Sequence, residues 1–199
     1  MKKTRSYRMT ERARSQEETR QKIVEATMQL HEETGPRATT ISAIADKSGV
    51  QRLTVYRHFP DETAVFQACT AHWLELNAPP DQTLWCNVDD PRKRLETALS
   101  AFYAYYSSTR RMWTVSHRDV ADVPALQGPM MEFAGFVASI GDDLSDVFDV
   151  HDNSNAARRT TIHHSLAFPT WLDLEERGLS DDRKVQLALQ WIDGTSDTG

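Results

Sequence analysis

Apolar residues recur at three- and four-residue intervals along most of the chain, which predicts helices rather than strands. Ile23, Ala26, Thr27 and Leu30 form one stripe, so a first helix is expected from near Gln16 to Glu33, ended by Gly35-Pro36. Ile41, Ile44 and Ala45 mark a short second helix, started by Thr39 or Thr40, whose hydroxyl can accept a bond from an orphan backbone N–H. Gly49 then breaks the pattern where a chain often needs positive φ, and Val50 is placed to plug the turn. A third helix starts at Gln51, with Val55 and Phe59 able to pack back on the second. Val65, Phe66, Cys69, Trp73 and Leu76 give a fourth helix an apolar face, and the acidic residues near Asp61 suit its N-terminal dipole.

The remainder has the same period with more interruptions. Residues 77–91 are rich in Pro, Asp and Asn and read as a connection, with Trp85 too large to stay exposed. Asp89 or Asp90 with Pro91 starts a helix over Arg92 to Ser108 that buries Leu95, Leu99, Phe102 and Tyr106, flanked by Tyr103 and Tyr105. A separate segment, Met112 to Val120, carries Trp113 and His117. Pro124 starts another helix that Gly128-Pro129 should kink or interrupt, after which an apolar face runs from Phe133 to Phe148 and ends at His151-Asp152-Asn153. The last two helices are expected from Ser154 to Arg177, kinked at Pro169 and closed by Gly178, and from Asp181 to Asp193, capped by Ser180. The tail from Gly194 should fray.

Residues 39–61 carry the candidate chemistry, as a helix-turn-helix. With Val55 and Phe59 turned inward, Gln51, Arg52, Leu53, Thr54 and Arg57 face outward. Arg and Gln offer forked or paired donors that match guanine and adenine edges, and Thr or Leu can touch a thymine methyl. Tyr56 and His58 stand where a hydroxyl or ring N–H can reach phosphate, and Thr40 is placed to join them. The apolar spacing alone suits two surface helices joined by a glycine equally well.

The run IADKSGVQRLTVYRHFPDETAVF resembles the DNA-binding signature of the TetR family of bacterial repressors, at Ile44, Ala45, Gly49, Val50, Thr54, Val55, Tyr56, His58 and Phe59. The likeness covers residues 18–70; beyond it only length and helical pattern are similar. It implies an all-α chain: a three-helix DNA-binding head, a fourth helix acting as a lever, and a larger body that binds a ligand and dimerises by pairing its last two helices. Two positions depart from the family pattern. Glu62 stands where a phosphate-gripping Lys is common, and Gln51 replaces a small residue. Arg52-Leu53 is the variable pair, so the resemblance does not supply the operator.

Charge supports that division. Residues 1–60 hold 12 Lys and Arg against 7 Asp and Glu, and the remainder 11 against 22, within a net charge of −6. A basic head on an acidic body suits a chain whose first part meets phosphate, although chance segregation gives the same count. The domains expected are a basic flexible arm over 1–15, a DNA-binding domain over 16–61, a connecting helix over 62–78 and a ligand-binding and dimerisation domain over 79–199. The arm can lie in a minor groove or simply aid solubility.

No apolar run approaches the ~18 residues that span a bilayer, and the basic start lacks the apolar region of a signal peptide. Cys69 and Cys86 lack zinc spacing, and a reduced cytoplasm fits. His117, His163 and His164 do not make a metal site, since adjacent helical residues point about 100° apart. Asp142, Asp143 and Asp146 are expected on a solvated face. No catalytic set, cofactor or metal is expected. Phe102, Tyr103, Tyr106, Trp113, Phe133, Phe136, Phe168 and Trp171 are candidate lining for an apolar or aromatic effector, although aromatic stripes at helical spacing also make plain core. The function expected is a homodimeric regulator, a repressor released from a palindromic double-stranded DNA operator by a small molecule. A ligand-independent DNA-binding dimer is the alternative.

Overall fold

The computed structural model describes residues 2–148 and 155–195, with side chains over 10–148 and 156–195. The described residues form helices α1 (Lys2–Thr34), α2 (Ile41–Ser48), α3 (Arg52–His58), α4 (Glu62–Leu76), α5 (Pro91–Asp119), α6 (Pro124–Asp146), α7 (Asn155–Leu166), α8 (Phe168–Glu176) and α9 (Asp181–Gly194), with single 3-10 turns at Pro36–Ala38 and Gln82–Leu84 and no strand. The fold is all-α with an N-terminal helix-turn-helix. The expected helix ends at His151-Asp152-Asn153 and Ser154, and the tail beyond Thr195, lie outside the described residues.

Two compact units form. The first holds Met1–Asn77 and Thr114–Pro129, the second Ala78–Trp113 and Met130–Gly199. The first unit is built on Ile23 and Val24 of α1, Ile41, Ile44 and Ala45 of α2, Val55 and Phe59 of α3, and Val65 and Phe66 of α4, with Val123 and Ala125 packed against them. Thr27, the polar member of the α1 stripe, is buried but donates to the Ile23 carbonyl at 2.8 Å. Lys47 ties α2 to α1 through Glu33 at 2.8 Å.

The second unit buries Leu95, Leu99 and Phe102 of α5, Ile140 and Leu144 of α6, Ile162 of α7, Trp171 of α8, and Val185, Leu189 and Ile192 of α9. Trp85 is buried there too. Lys184 is wholly buried beneath a carboxylate pair, 2.5 Å from Glu175 and 2.6 Å from Asp181. Its ammonium also lies 4.7 Å from the centre of the Trp171 ring. Burying that charge is tolerable only because it is paired on two sides.

Several elements differ from expectation. Helix α1 begins at Lys2 instead of near Gln16. Lys, Arg, Met, Glu and Ala, good helix formers, make up most of its extra turns, and Arg14 is braced by Glu11 at 3.4 Å and Glu18 at 3.5 Å, one turn away on either side. Helix α5 is continuous from Pro91 to Asp119. At the expected boundary the Ser108 and Thr109 hydroxyls fold back on the Tyr105 carbonyl at 2.8 and 2.5 Å, within the helix. Helix α6 runs through Gly128 and Pro129 without interruption.

The expected helix Ser154 to Arg177 is two helices, because Ala167 takes extended backbone and Pro169 falls in the first turn of α8. Ser180 holds the cap position of α9, but its side chain makes no capping bond. Asp142 and Asp146 keep solvent access, as expected, and also grip Arg159 at 2.6 and 3.1 Å, with His163 3.1 Å from Asp142.

Candidate functional site

The turn between α2 and α3 is set by local chemistry. The Thr40 side chain caps α2 by accepting the Ala43 N–H at 3.2 Å. Gly49 ends it in left-handed backbone at φ 69°, a conformation that costs glycine nothing. The Val50 N–H then returns to the Ala45 carbonyl at 3.0 Å. Gln51 is extended at the cap of α3, and its carbonyl accepts the Thr54 N–H at 2.8 Å.

Helix α3 is anchored by Val55 and Phe59, both buried. At 100° per residue, Leu53 and Arg57 fall opposite Val55 and Tyr56 lies to one side of it, while Arg52 is in the first turn. Leu53 is 59% exposed and Tyr56 44%, high values for apolar-bodied side chains on a structured helix. Gln51, Arg52 and Arg57 are exposed as well, while Thr54 and His58 are half-buried at the margins. An exposed arc of forked cations, an amide, a phenol and an aliphatic is what base edges, thymine methyls and phosphates require. At the end of α3 the Arg20 guanidinium lies 5.0 Å from the centre of the Phe59 ring. Asp61 caps α4 by accepting the Ala64 N–H at 2.8 Å.

A second feature of this unit joins the last turn of α5 to the end of α1. Asp119 is buried and accepts the Arg37 backbone N–H at 3.1 Å and both Arg118 Nε and an Arg118 terminal nitrogen, at 2.7 and 3.0 Å. Arg118 also donates to the Thr34 carbonyl at 3.0 Å, which satisfies a C-terminal acceptor of α1. The Arg118 hydrogen bonds hold the Asp119 carboxyl below the usual carboxylate range. Gly35 passes beneath this clip at φ 95°, and a β-carbon there would meet both the guanidinium and the carboxylate. Close by, His31 is buried with Nδ1 3.6 Å from Cys69 Sγ and its ring edge on Phe66 at 4.4 Å. Its Nε2 has no hydrogen-bond partner among the described residues.

In the second unit the expected ligand residues fall into one aromatic cluster with two characters. Tyr103 and Tyr106 are wholly buried, and their hydroxyls donate to the Ser165 and Leu166 carbonyls at 2.9 and 2.8 Å. These are the acceptors left open where the chain breaks between α7 and α8, so both phenols serve that break. Trp171 and Phe168 stack at 5.6 Å beneath them. The other half is Phe133 and Phe136, which are half-buried on α6. Trp113 lies 4.1 Å from Phe133, and Phe102 lies 6.3 Å from Phe136.

The sequence model described as "Bacterial regulatory proteins, tetR family" matches residues 23–69, the segment that builds the head. Residues 23–69 thus form a TetR-family DNA-binding domain. The HTH-type transcriptional regulator SrpR of Pseudomonas putida is 43% identical over 68 residues, which is 33% of this chain and 32% of that regulator. The uncharacterized HTH-type transcriptional regulator TtgW, also of Pseudomonas putida, is 42% identical over 67 residues, 32% of this chain and 50% of that protein. The matched stretch thus spans about a third to a half of these relatives' length. Among solved structures, a TetR-like transcriptional regulator from Rhodococcus sp. RHA1 has the same fold, with a TM-score of 0.66 at 17% identity over 90% of this chain and 97% of that one.

Against the TetR-family signature, Gly49, Val50, Val55 and Phe59 form the turn and inner face, and Tyr56 stands on the outer arc. Glu62, in the place of the common Lys, is the first residue of α4 and is exposed. Two groups escaped the sequence reading. The Arg118–Asp119 clip joins residues more than eighty positions apart and leaves no local signal. Tyr105 is buried, with its ring 6.4 Å from Trp113 and 6.2 Å from Phe133. Burial pushes its phenol up to about 12, and the Trp113 indole pulls the other way. Tyr105, Thr109 and Trp113 share a face at four-residue spacing, a register visible only once α5 is continuous. Among the described residues no group of three His, Cys, Asp or Glu side chains could hold a metal, and no helix is long and apolar enough to cross a membrane.

Proposed function

We propose that this TetR-family regulator is a cytoplasmic homodimeric repressor that leaves a palindromic operator when a small molecule binds its body. The observation that carries the reading is the outward arc of α3, with Arg52, Leu53, Tyr56 and Arg57 exposed over a buried Val55. In this reading α3 enters the major groove. Gln51, Arg52 and Leu53 read bases from its first turn, while Thr40, Thr54, Tyr56, Arg57 and His58 fix register on phosphates. Two heads one helical turn apart, about 34 Å, read the two half-sites. The copies join through the C-terminal helices, α7–α8 and α9, as a four-helix bundle.

The effector is apolar or aromatic. It enters at the half-buried Phe133 and Phe136, where Tyr105 and Trp113 supply a phenol and an indole among carbon surfaces. Helix α5 gives residues to both compact units, so a shift of its aromatic face reaches the Arg118–Asp119 clip along a single helix. If ligand favours a state with the heads wrongly spaced, ligand and DNA weaken each other by the same factor.

Binding of Arg52→Ala to matched and single-base-changed duplexes tests the head. A loss of about 1–3 kcal/mol with relaxed preference at one base position is expected. Equal weakening on all sequences would remove Arg52 from base readout. For the body, a compound that raises the melting temperature and releases DNA, and that fails to do so in Phe133→Ala, is the expected result.

A further inference from the structure

The connection that leads into α5 is tightly built and borders a small cavity. Asp81 starts its 3-10 turn by accepting the Thr83 N–H at 2.9 Å, and the Cys86 and Val88 N–H groups return to the Gln82 and Trp85 carbonyls at 2.9 and 3.0 Å. Trp85 is buried from this turn, its ring centre 6.0 Å from that of Phe102. Between the turn, the start of α5 and the end of α6 lies a cavity of about 270 Å³, lined by Cys86, Arg94, Asp143 and Asp146 together with the buried Trp85 and Leu144. All of these residues belong to the second unit.

Opposite charges line this cavity without meeting. Arg94 is half-buried, and its Nε donates to the Val88 carbonyl at 2.9 Å, which fixes the guanidinium. Its terminal nitrogens reach no acceptor among the described residues. Asp143 is exposed and likewise has no partner among them. Asp146 is already held by Arg159 at 3.1 Å, so Asp143 is the open carboxylate. These charges select the ligand. A lone carboxylate would gain Arg94 but meet two aspartates. A lone amine would gain Asp143 but meet a fixed guanidinium. Only a molecule that carries both signs gains on both sides. At about 30 Å³ for each water-sized group, 270 Å³ holds about nine non-hydrogen atoms, fewer than a drug-sized ligand has.

We propose that this cavity binds a small zwitterion of the amino-acid type, its carboxylate on the Arg94 fork and its ammonium on Asp143. The site is separate from the Phe133 and Phe136 face and is a second small-molecule input to the body. Trp85 places it one ring contact from the aromatic cluster, since Phe102 lies 6.3 Å from Phe136. Because the Val88 carbonyl already orders Arg94, gripping a carboxylate costs that side chain little further freedom. Both ion pairs are open to water, so binding is weak, roughly millimolar. It requires neither DNA nor the aromatic effector, and it stands or falls apart from the function proposed above.

The test uses Cys86, an exposed thiol of the lining, as reporter, and the buried Cys69 as the control for unfolding. The full-length chain is alkylated with iodoacetamide at pH 7, and the rate at Cys86 is followed by peptide mass against rising L-leucine or 6-aminohexanoate. These are isomers of the size the cavity holds, with their charges close together in one and far apart in the other. At least one should slow alkylation of Cys86, and the one that does so gives the spacing of the two charges. N-acetyl-L-leucine lacks the ammonium, and L-leucine amide lacks the carboxylate and so tests Arg94 without disturbing its Val88 bond. Each should protect only at several-fold higher concentration. Asp143→Asn should raise the isomer concentration needed by about two- to fivefold, the size of an exposed ion pair, and should not weaken N-acetyl-L-leucine. No protection by either isomer would overturn the proposal. Equal protection by N-acetyl-L-leucine would make this an anion site and equal protection by the amide a cation site, and each would overturn it. So would protection by the isomers that is unchanged in Asp143→Asn.

Discussion

Lowering the pH should loosen the head through His31. The ring is buried under α4, between Phe66 and Cys69, and burial lowers its pKa from 6.5 to about 4, although the Asp119 carboxylate pulls the other way. Burial also pushes the Cys69 thiol up to about 12, so the thiol keeps its proton. The neutral ring meets the thiol through Nδ1 at 3.6 Å. The unfolded chain takes up the proton near 6.5, the folded chain only near 4. Between those values the unfolded state binds more protons, so the contribution is complete above pH 6.5 and shrinks as pH falls. The slope is about 1.4 kcal/mol per pH unit, which amounts to about 3 kcal/mol across the window, a large share of a typical domain's stability. His117 is lowered by burial as well, so urea unfolding should be compared between the parent and His31→Gln at several pH values. The parent should lose about 3 kcal/mol more than His31→Gln between pH 6.5 and 4, and the His31 ring resonances should titrate near 4. Parallel stability curves, or a ring that titrates near 6.5, would refute the reasoning.

Other substitutions separate further parts of the structure. Gly35→Ala places a β-carbon into the Arg118–Asp119 clip at φ 95°, and should cost about 2 kcal/mol or more by thermal unfolding. A melting temperature equal to the parent's would mean that the clip yields freely. Lys184→Ala removes the buried cation from Glu175 and Asp181, which keep Arg110 and the Trp171 indole, and should destabilise by about 1–3 kcal/mol in urea. Lys184→Met, which keeps a stem over Trp171, should recover part of that loss. Thr40→Ala removes the α2 cap and should cost about 1 kcal/mol. If the Thr40 hydroxyl also meets phosphate, the salt slope of DNA binding should fall with it, and an unchanged slope would leave Thr40 as a cap alone.

The head was legible because its determinants are local. A capping hydroxyl at Thr40, a left-handed Gly49 and the inward pair Val55 and Phe59 lie within twenty residues and each has one structural use. The body was less legible because its determinants are distant. Two segments are expected where α5 is one helix, because the Ser108 and Thr109 hydroxyls bond within it, and only the continuous helix puts Tyr105 in register with Trp113. Pro169 reads equally well as a kink or as the first turn of a new helix, and what distinguishes them is Tyr103 and Tyr106 donating to the buried Ser165 and Leu166 carbonyls from sixty residues away. The pairing of Asp142 with Arg159 and His163 follows from α6 meeting α7, which no spacing within α6 reveals.

The central claim is that α3 reads a paired DNA site. Selection of duplexes from a random-sequence library by the purified chain, followed by salt titration of the enriched site, tests it most directly. The account predicts a palindrome with half-sites about one helical turn apart, bound with steep salt dependence and degraded at one base position by Arg52→Ala. A library that returns no enriched motif, with binding to every duplex equally weak and unaffected by Arg52→Ala, would contradict it.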